Sequence, residues 1–111
     1  QTRFMIEIKY KPLSVNQAWQ GKRFKTPSYN KYQRDILLLL PKILVPLKSL
    51  KISFEFGLSN KCNDIDNSIK PILDILCKKY GFDDREIYEL NVKKIIVSKG
   101  SEFIRFEITE L

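Results

Sequence analysis

The sequence predicts one α+β domain, a mixed sheet carrying two main helices in the order β-loop-α-β-α-β-β. Three observations point there. Apolar residues alternate with polar ones in four stretches, they recur at helical spacing in two others, and 111 residues are enough for one modest core. A hydrophobic fraction of 43% fits a folded chain rather than a disordered one, and residues 1–111 read as a single domain.

Phe4, Ile6, Ile8 and Tyr10 alternate with Met5, Glu7 and Lys9, the period of a strand with one buried face. Residues 11–27 have no period and contain Pro12, Gly21 and Pro27, so they read as a long loop. Ser28 is the expected N-cap of the first helix, over about 28–40. Tyr29, Tyr32, Gln33, Ile36, Leu37 and Leu40 share a face there, with both tyrosines expected in the core, and Pro41 ends the run. Leu50, Ile52, Phe54, Phe56 and Leu58 form the second strand.

After a polar connection over 59–63, Ile69, Ile72, Leu73, Leu76 and Tyr80 line one face of a second helix, with Cys77 expected among its buried residues. Proline has no N–H to donate and fits only a first turn, so Pro71 sets the cap at Asn67 or Ser68, and Gly81 is the expected stop. Asp64 and Asp66 then precede the helix in extended chain. Residues 86–98 alternate through Tyr88, Leu90, Val92 and Ile96 as a third strand. Residues 98–101 read as a turn, and Ile104, Phe106 and Ile108 mark a last strand, closing an antiparallel C-terminal hairpin.

Composition narrows the chemistry. There is no histidine, which excludes Ser-His-Asp and Cys-His catalysis and any zinc site that needs imidazole. Cys62 and Cys77 are too few for a disulfide scaffold and fit reduced thiols in a cytoplasmic protein. No apolar run approaches the roughly 20 residues a membrane helix needs, so no membrane association is expected. The net charge of +7 is uneven: residues 1–54 carry eleven Lys/Arg against Glu7 and Asp35, whereas residues 55–111 are slightly acidic. A basic half beside an acidic motif suits a polyanion bound next to a cation. Between Ile8 and Arg34 there is no acid, and Trp19, Phe24, Tyr29 and Tyr32 alternate with Lys22, Arg23, Lys25, Lys31 and Arg34. Cations for phosphates and aromatics for unstacked bases are the ingredients of a nucleic-acid surface.

The acidic motif is Asp64-Ile65-Asp66-Asn67-Ser68-Ile69-Lys70, followed by Asp83-Asp84. Two unit charges 4 Å apart interact by about 4 kcal/mol at an effective dielectric of 20, so crowded carboxylates call for a cation. In extended chain Asp64 and Asp66 share a face, and such oxygen donors suit Mg²⁺ or Mn²⁺. Asn67 is a neutral cap or outer ligand, and Lys70 holds a phosphate, stabilises a leaving oxygen, or offsets the repulsion. The same residue types are common in turns and caps, so Asp83-Asp84 also reads as an N-cap and Asp74 as a solvated helix residue. A helix over 68–79 carries the chain roughly 18 Å from Asp66. Five further residues return at most about 16–18 Å. Asp84 therefore meets Asp64 and Asp66 only if the helix is short, or else a twofold partner supplies the third carboxylate.

Taken together, these residues resemble the RusA family of Holliday-junction resolvases. The matching positions are Pro12 with Ser14-Val15-Asn16 and Trp19, Tyr32-Gln33-Arg34, the Asp64–Lys70 run with Asp74 and Leu76, and Gly81-Phe82-Asp83-Asp84 with the strand after it. The resemblance implies a RusA-like fold and a homodimeric, Mg²⁺- or Mn²⁺-dependent endonuclease that resolves four-way DNA junctions by paired symmetric nicks, in recombination and repair. By position it makes Asp64, Asp66 and Asp84 the catalytic metal carboxylates, Lys70 the essential basic residue and Asp83 an accessory. Asn63, with Cys62 before it, stands where basic residues are expected. Two alternatives stay open: a catalytically silent DNA-binding module, and a nuclease for other branched nucleic acids.

Overall fold

The computed structural model describes residues 5–14, 19–20, 24–61 and 64–111. Its strands are β1 (Ile6–Ile8), β2 (Trp19–Gln20), β3 (Phe24–Lys25), β4 (Leu50–Leu58), β5 (Ile87–Ile96) and β6 (Phe103–Glu110). The helices are α1 (Pro27–Leu39) and α2 (Ile69–Tyr80), with short 3₁₀ turns at Ile65–Ser68 and Asp84–Glu86.

The sheet is organised around β4. Ile52, Phe54, Phe56 and Leu58 are almost fully buried, and successive strand residues point to opposite faces. β4 pairs antiparallel with β6 on one side and parallel with β5 on the other, giving the order β1-β6-β4-β5. Ile104 and Phe106 of β6 and Ile8 of β1 continue the apolar face, against Tyr29, Tyr32 and Ile36 of α1 and Ile72, Ile75 and Leu76 of α2. The tyrosines are core residues, as their spacing predicts. The second face of the sheet is polar. Arg105 on β6 donates to Glu7 at 2.7 Å and Glu55 at 3.1 Å, and Lys51 lies 3.4 Å from Glu89. No helix among the described residues is long and apolar enough to cross a membrane.

A mixed four-strand sheet with two helices is the predicted class, and three details differ from expectation. First, the cap of α1 is Thr26, not Ser28: its side chain accepts from the Tyr29 amide at 3.2 Å, and Pro27 takes the first helical position, where a missing N–H costs nothing. Second, the expected long loop contains a two-stranded ribbon of β2 and β3. Third, β5 and β6 run in opposite directions but do not pair, because β4 lies between them. The crossover through α2 lays β5 parallel against one edge of β4, and β6 takes the other. Phe4 of the first predicted strand lies outside the described residues.

Candidate functional site

The βαβ unit of β4, α2 and β5 positions the acidic motif. Beyond Leu58 the chain runs to Asp64, which is exposed and extended at φ −72°, ψ 143°. Its carbonyl accepts from the Asn67 amide at 3.2 Å and turns the chain into the 3₁₀ segment. Asp66 is therefore not in extended chain as predicted. It sits inside that turn, so only Asp64 keeps the extended conformation expected of both. Asn67 is half-buried and, with Ser68, lines a groove of about 440 Å³ that also takes in Lys11, Asn60, Lys99 and Glu102. α2 starts at Ile69 with Pro71 in its first turn, and Gly81 ends it at φ 75°, its amide on the Cys77 carbonyl at 2.9 Å. That left-handed residue is the stop the sequence predicts.

A second group forms on one face of α2. Lys70, Asp74 and Cys77 follow at i, i+4 and i+7, and the Lys70 ammonium donates to Asp74 at 2.9 Å, one turn along the helix. Asp74 is thus a partly buried ion-pair member rather than the freely solvated residue expected. Asp74 and Cys77 then line a shallow groove of about 590 Å³ with Gly81, Phe82, Asp83 and Asp84. The hydrogen bond from Lys70 to Asp74 raises the Lys70 pKa above its ordinary value; burial opposes this, and the charges of Asp74 and Asp84 add to it. Burial pushes the Cys77 thiol up to about 11, helped by the charges of Asp84, Asp74 and Asp83 and opposed by Lys70. Cys77 is partly buried, as its place on the helix face suggests.

Asp83 performs the local task expected of a cap. Its side chain accepts from the Arg85 amide at 3.1 Å, and the Arg85 guanidinium lies 3.2 Å away. The hydrogen bond from the Arg85 amide holds its carboxyl below the usual range; burial opposes this, and the Arg85 charge adds to it.

The structure thus brings Asp84 to the groove of Asp74 and Cys77 in its own chain, and that groove does not include Lys70, Asp64 or Asp66. All three predicted metal carboxylates are exposed oxygen donors of the kind that suits a hard cation. Among the described residues, however, no group of three or more His, Cys, Asp or Glu side chains is arranged to hold an ion.

Of the predicted DNA-binding residues, Lys22 and Arg23 lie outside the described residues, and Trp19 and Lys25 are described in their backbone alone. Lys31 and Arg34 are exposed on α1. Lys31 pairs with Asp35 at 2.7 Å, and the Tyr10 hydroxyl donates to the same carboxylate, so its charge is already partly matched. Arg34 lines the outer side of α1 with Asn30, Gln33, Leu37 and Leu38. Sequence reasoning missed Asp74 and Cys77 as part of the Asp84 groove. Their helical spacing from Lys70 was the available signal.

No protein-family model matches this chain, and no curated protein matches it.

Proposed function

We propose that this chain is a RusA-like resolvase: a cytoplasmic, metal-dependent endonuclease that acts as a homodimer on four-way DNA junctions and makes paired symmetric nicks in recombination and repair. One observation carries the reading. The Asp64–Lys70 turn and the Asp83-Asp84 turn flank the same helix, and Asp84 lines a groove with Asp74, the ion-pair partner of Lys70, in a chain whose first 54 residues hold eleven cations and two acids. Asp64, Asp66 and Asp84 would hold Mg²⁺ or Mn²⁺, which supplies a polarised water and offsets charge on the phosphodiester. Lys70 is protonated throughout the neutral range, since Asp74 and Asp84 raise its pKa. It suits contact with a phosphate oxygen and is unsuited to act as a base. The basic loop of Lys22, Arg23 and Lys25 would take the flanking backbone.

Because α2 runs its full 12 residues, the reach argument favours a third carboxylate supplied by the twofold partner. Two equivalent sites would also match a junction that needs two symmetric cuts.

The test is incubation of the protein with a labelled four-way junction and a matched linear duplex, in Mg²⁺, Mn²⁺ or EDTA. Symmetric nicking of the junction alone is expected, lost in EDTA. Asp66→Asn should abolish cleavage while leaving junction binding intact or stronger, because it removes a negative charge near DNA. Loss of binding in a folded Asp66→Asn protein overturns this role. Replacing Lys22 or Arg23 by Ala should weaken binding and reduce its salt slope by about one per contact. The capping role of Asp83 is what favours the second reading, a DNA-binding module without catalysis. Binding with no nicking selects that reading, and nicking of flaps, forks or RNA ahead of the junction selects a nuclease for other branched substrates.

A further inference from the structure

β5 is the outer strand of the sheet. β4 covers one side of it and, among the described residues, no strand covers the other. It is 10 residues long, contains no proline, and runs in unbroken register with β4 from Glu89 to Ile96. It also leaves Tyr88, Leu90 and Ile96 substantially exposed, at 67%, 41% and 52%. Outer strands are normally blunted by proline, bulges, short length or charged side chains, because a row of open backbone donors and acceptors recruits another strand; β5 has only the charges, and these are of both signs. Here the only irregularity lies at the very start, between Leu50 and Lys51 of the partner strand β4.

The charges along β5 say which strand fits. Glu89 stands near its beginning, with Glu86 just before the strand, and Lys93 and Lys94 stand toward its end. A parallel copy would set like charges together, whereas an antiparallel copy sets unlike charges together. A twofold axis normal to the sheet keeps each face on its own side, so the polar face of one β5 continues the polar face of the other. Lys93 is the lysine on the Glu89 face, since both register with polar-face residues of β4 (Glu55 and Lys51). One register therefore opposes Glu89 and the partner's Lys93. It puts Asn91 across from the partner's Asn91, and Leu90 across from the partner's Val92. Lys93 has charge to give: its neighbour in register, Glu55, accepts from Arg105 at 3.1 Å, and Lys93 makes no ion pair among the described residues.

We infer that β5 pairs antiparallel with β5 of a second copy of this chain about a twofold axis at Asn91, joining the two sheets into one. The functional meaning of this interface rests on the reading proposed above; the interface itself does not. In this register the start of each β5 lies beside the end of the other. The Asp84 turn, which leads into β5, then stands at the end of the partner's sheet from which the loop to Asp64 and Asp66 departs. In each chain that loop is tied to the same end of β5 by the Lys94 ammonium, which donates to the Lys61 carbonyl at 3.0 Å.

The test is sedimentation equilibrium of the full chain over a range of concentrations, with junction nicking measured on the same samples. A dimer is expected. Glu89→Lys and Lys93→Glu should each weaken it roughly tenfold, since each reversal turns two symmetry-related attractions into repulsions. The double variant Glu89→Lys/Lys93→Glu should restore it. Circular dichroism confirms that each variant is folded, and both positions are exposed. A monomer at every concentration overturns the inference and the dimeric reading together. A dimer that ignores both reversals, or a double variant no tighter than the single ones, overturns this interface alone. A dimer that obeys the swap but nicks no junction upholds the interface and removes the nuclease reading.

Discussion

Cys77 is a built-in probe of the carboxylates around Asp84. Burial and then Asp84, Asp74 and Asp83 push its thiol from an ordinary 9.0 to about 11. Alkylation needs the thiolate. At pH 8 the thiolate share falls from about a tenth to about a thousandth, so Cys77 should react with iodoacetamide roughly 100-fold more slowly than an open thiol. Cys62→Ser leaves Cys77 as the single reporter, and the rate is followed by mass spectrometry from pH 7 to 10. Asp84→Asn removes the largest charge contribution but leaves burial, the larger cause, so the rate at pH 8 should rise a few-fold and no more. A cation bound at Asp84 acts in the same sense, so Mg²⁺ should raise the rate saturably in the parent and not in Asp84→Asn. Reaction at the rate of a free thiol refutes the burial of Cys77. A rate indifferent to Asp84→Asn refutes the placement of Asp84 beside α2.

Two further outcomes test the fold. A Cβ at Gly57 would stand 2.4 Å from two ring carbons of Phe103, a ring that is 8% exposed and covered by the Arg105 guanidinium at 4.0 Å from its centroid. Gly57→Ala should therefore cost about 1–3 kcal/mol, or at least about 4 °C in Tm by calorimetry, with part recovered in Gly57→Ala/Phe103→Leu; an unchanged Tm refutes the close approach. Lys31 and then Tyr10 donate to Asp35 and hold its carboxyl below the usual range. A lowered carboxyl contributes stability above its unfolded pKa, near 3.9, and loses it as pH falls through the folded value. The Tm of the parent should thus fall more steeply below about pH 4 than that of Asp35→Asn, and parallel acid limbs would show that the pairing contributes nothing.

Much of this molecule is written locally. Pro71 and Gly81 bracket α2 to within a residue because each acts through its own backbone: one lacks an amide, and the other accepts φ 75° without strain. The departures arise where a local signal had a competitor. Ser28 lost the cap to Thr26 because Pro27 fits the first helical position better than any position before it. Asp66 left the extended chain because one hydrogen bond from Asn67 to Asp64 turned the segment early. The C-terminal pairing failed for a different reason. Alternation fixes which face a side chain takes but not which strand lies alongside, and the α2 crossover decided the neighbours of β4. The candidate site divides the same way. Lys70, Asp74 and Cys77 are legible together from helical spacing, while the place of Asp84 beside Asp74 and Cys77 depends on the loop after Gly81, which helical spacing does not reach. Under the proposed reading, a shared ion at Asp64, Asp66 and Asp84 needs a second copy, and the open edge of β5 is where the pairing proposed above would supply it.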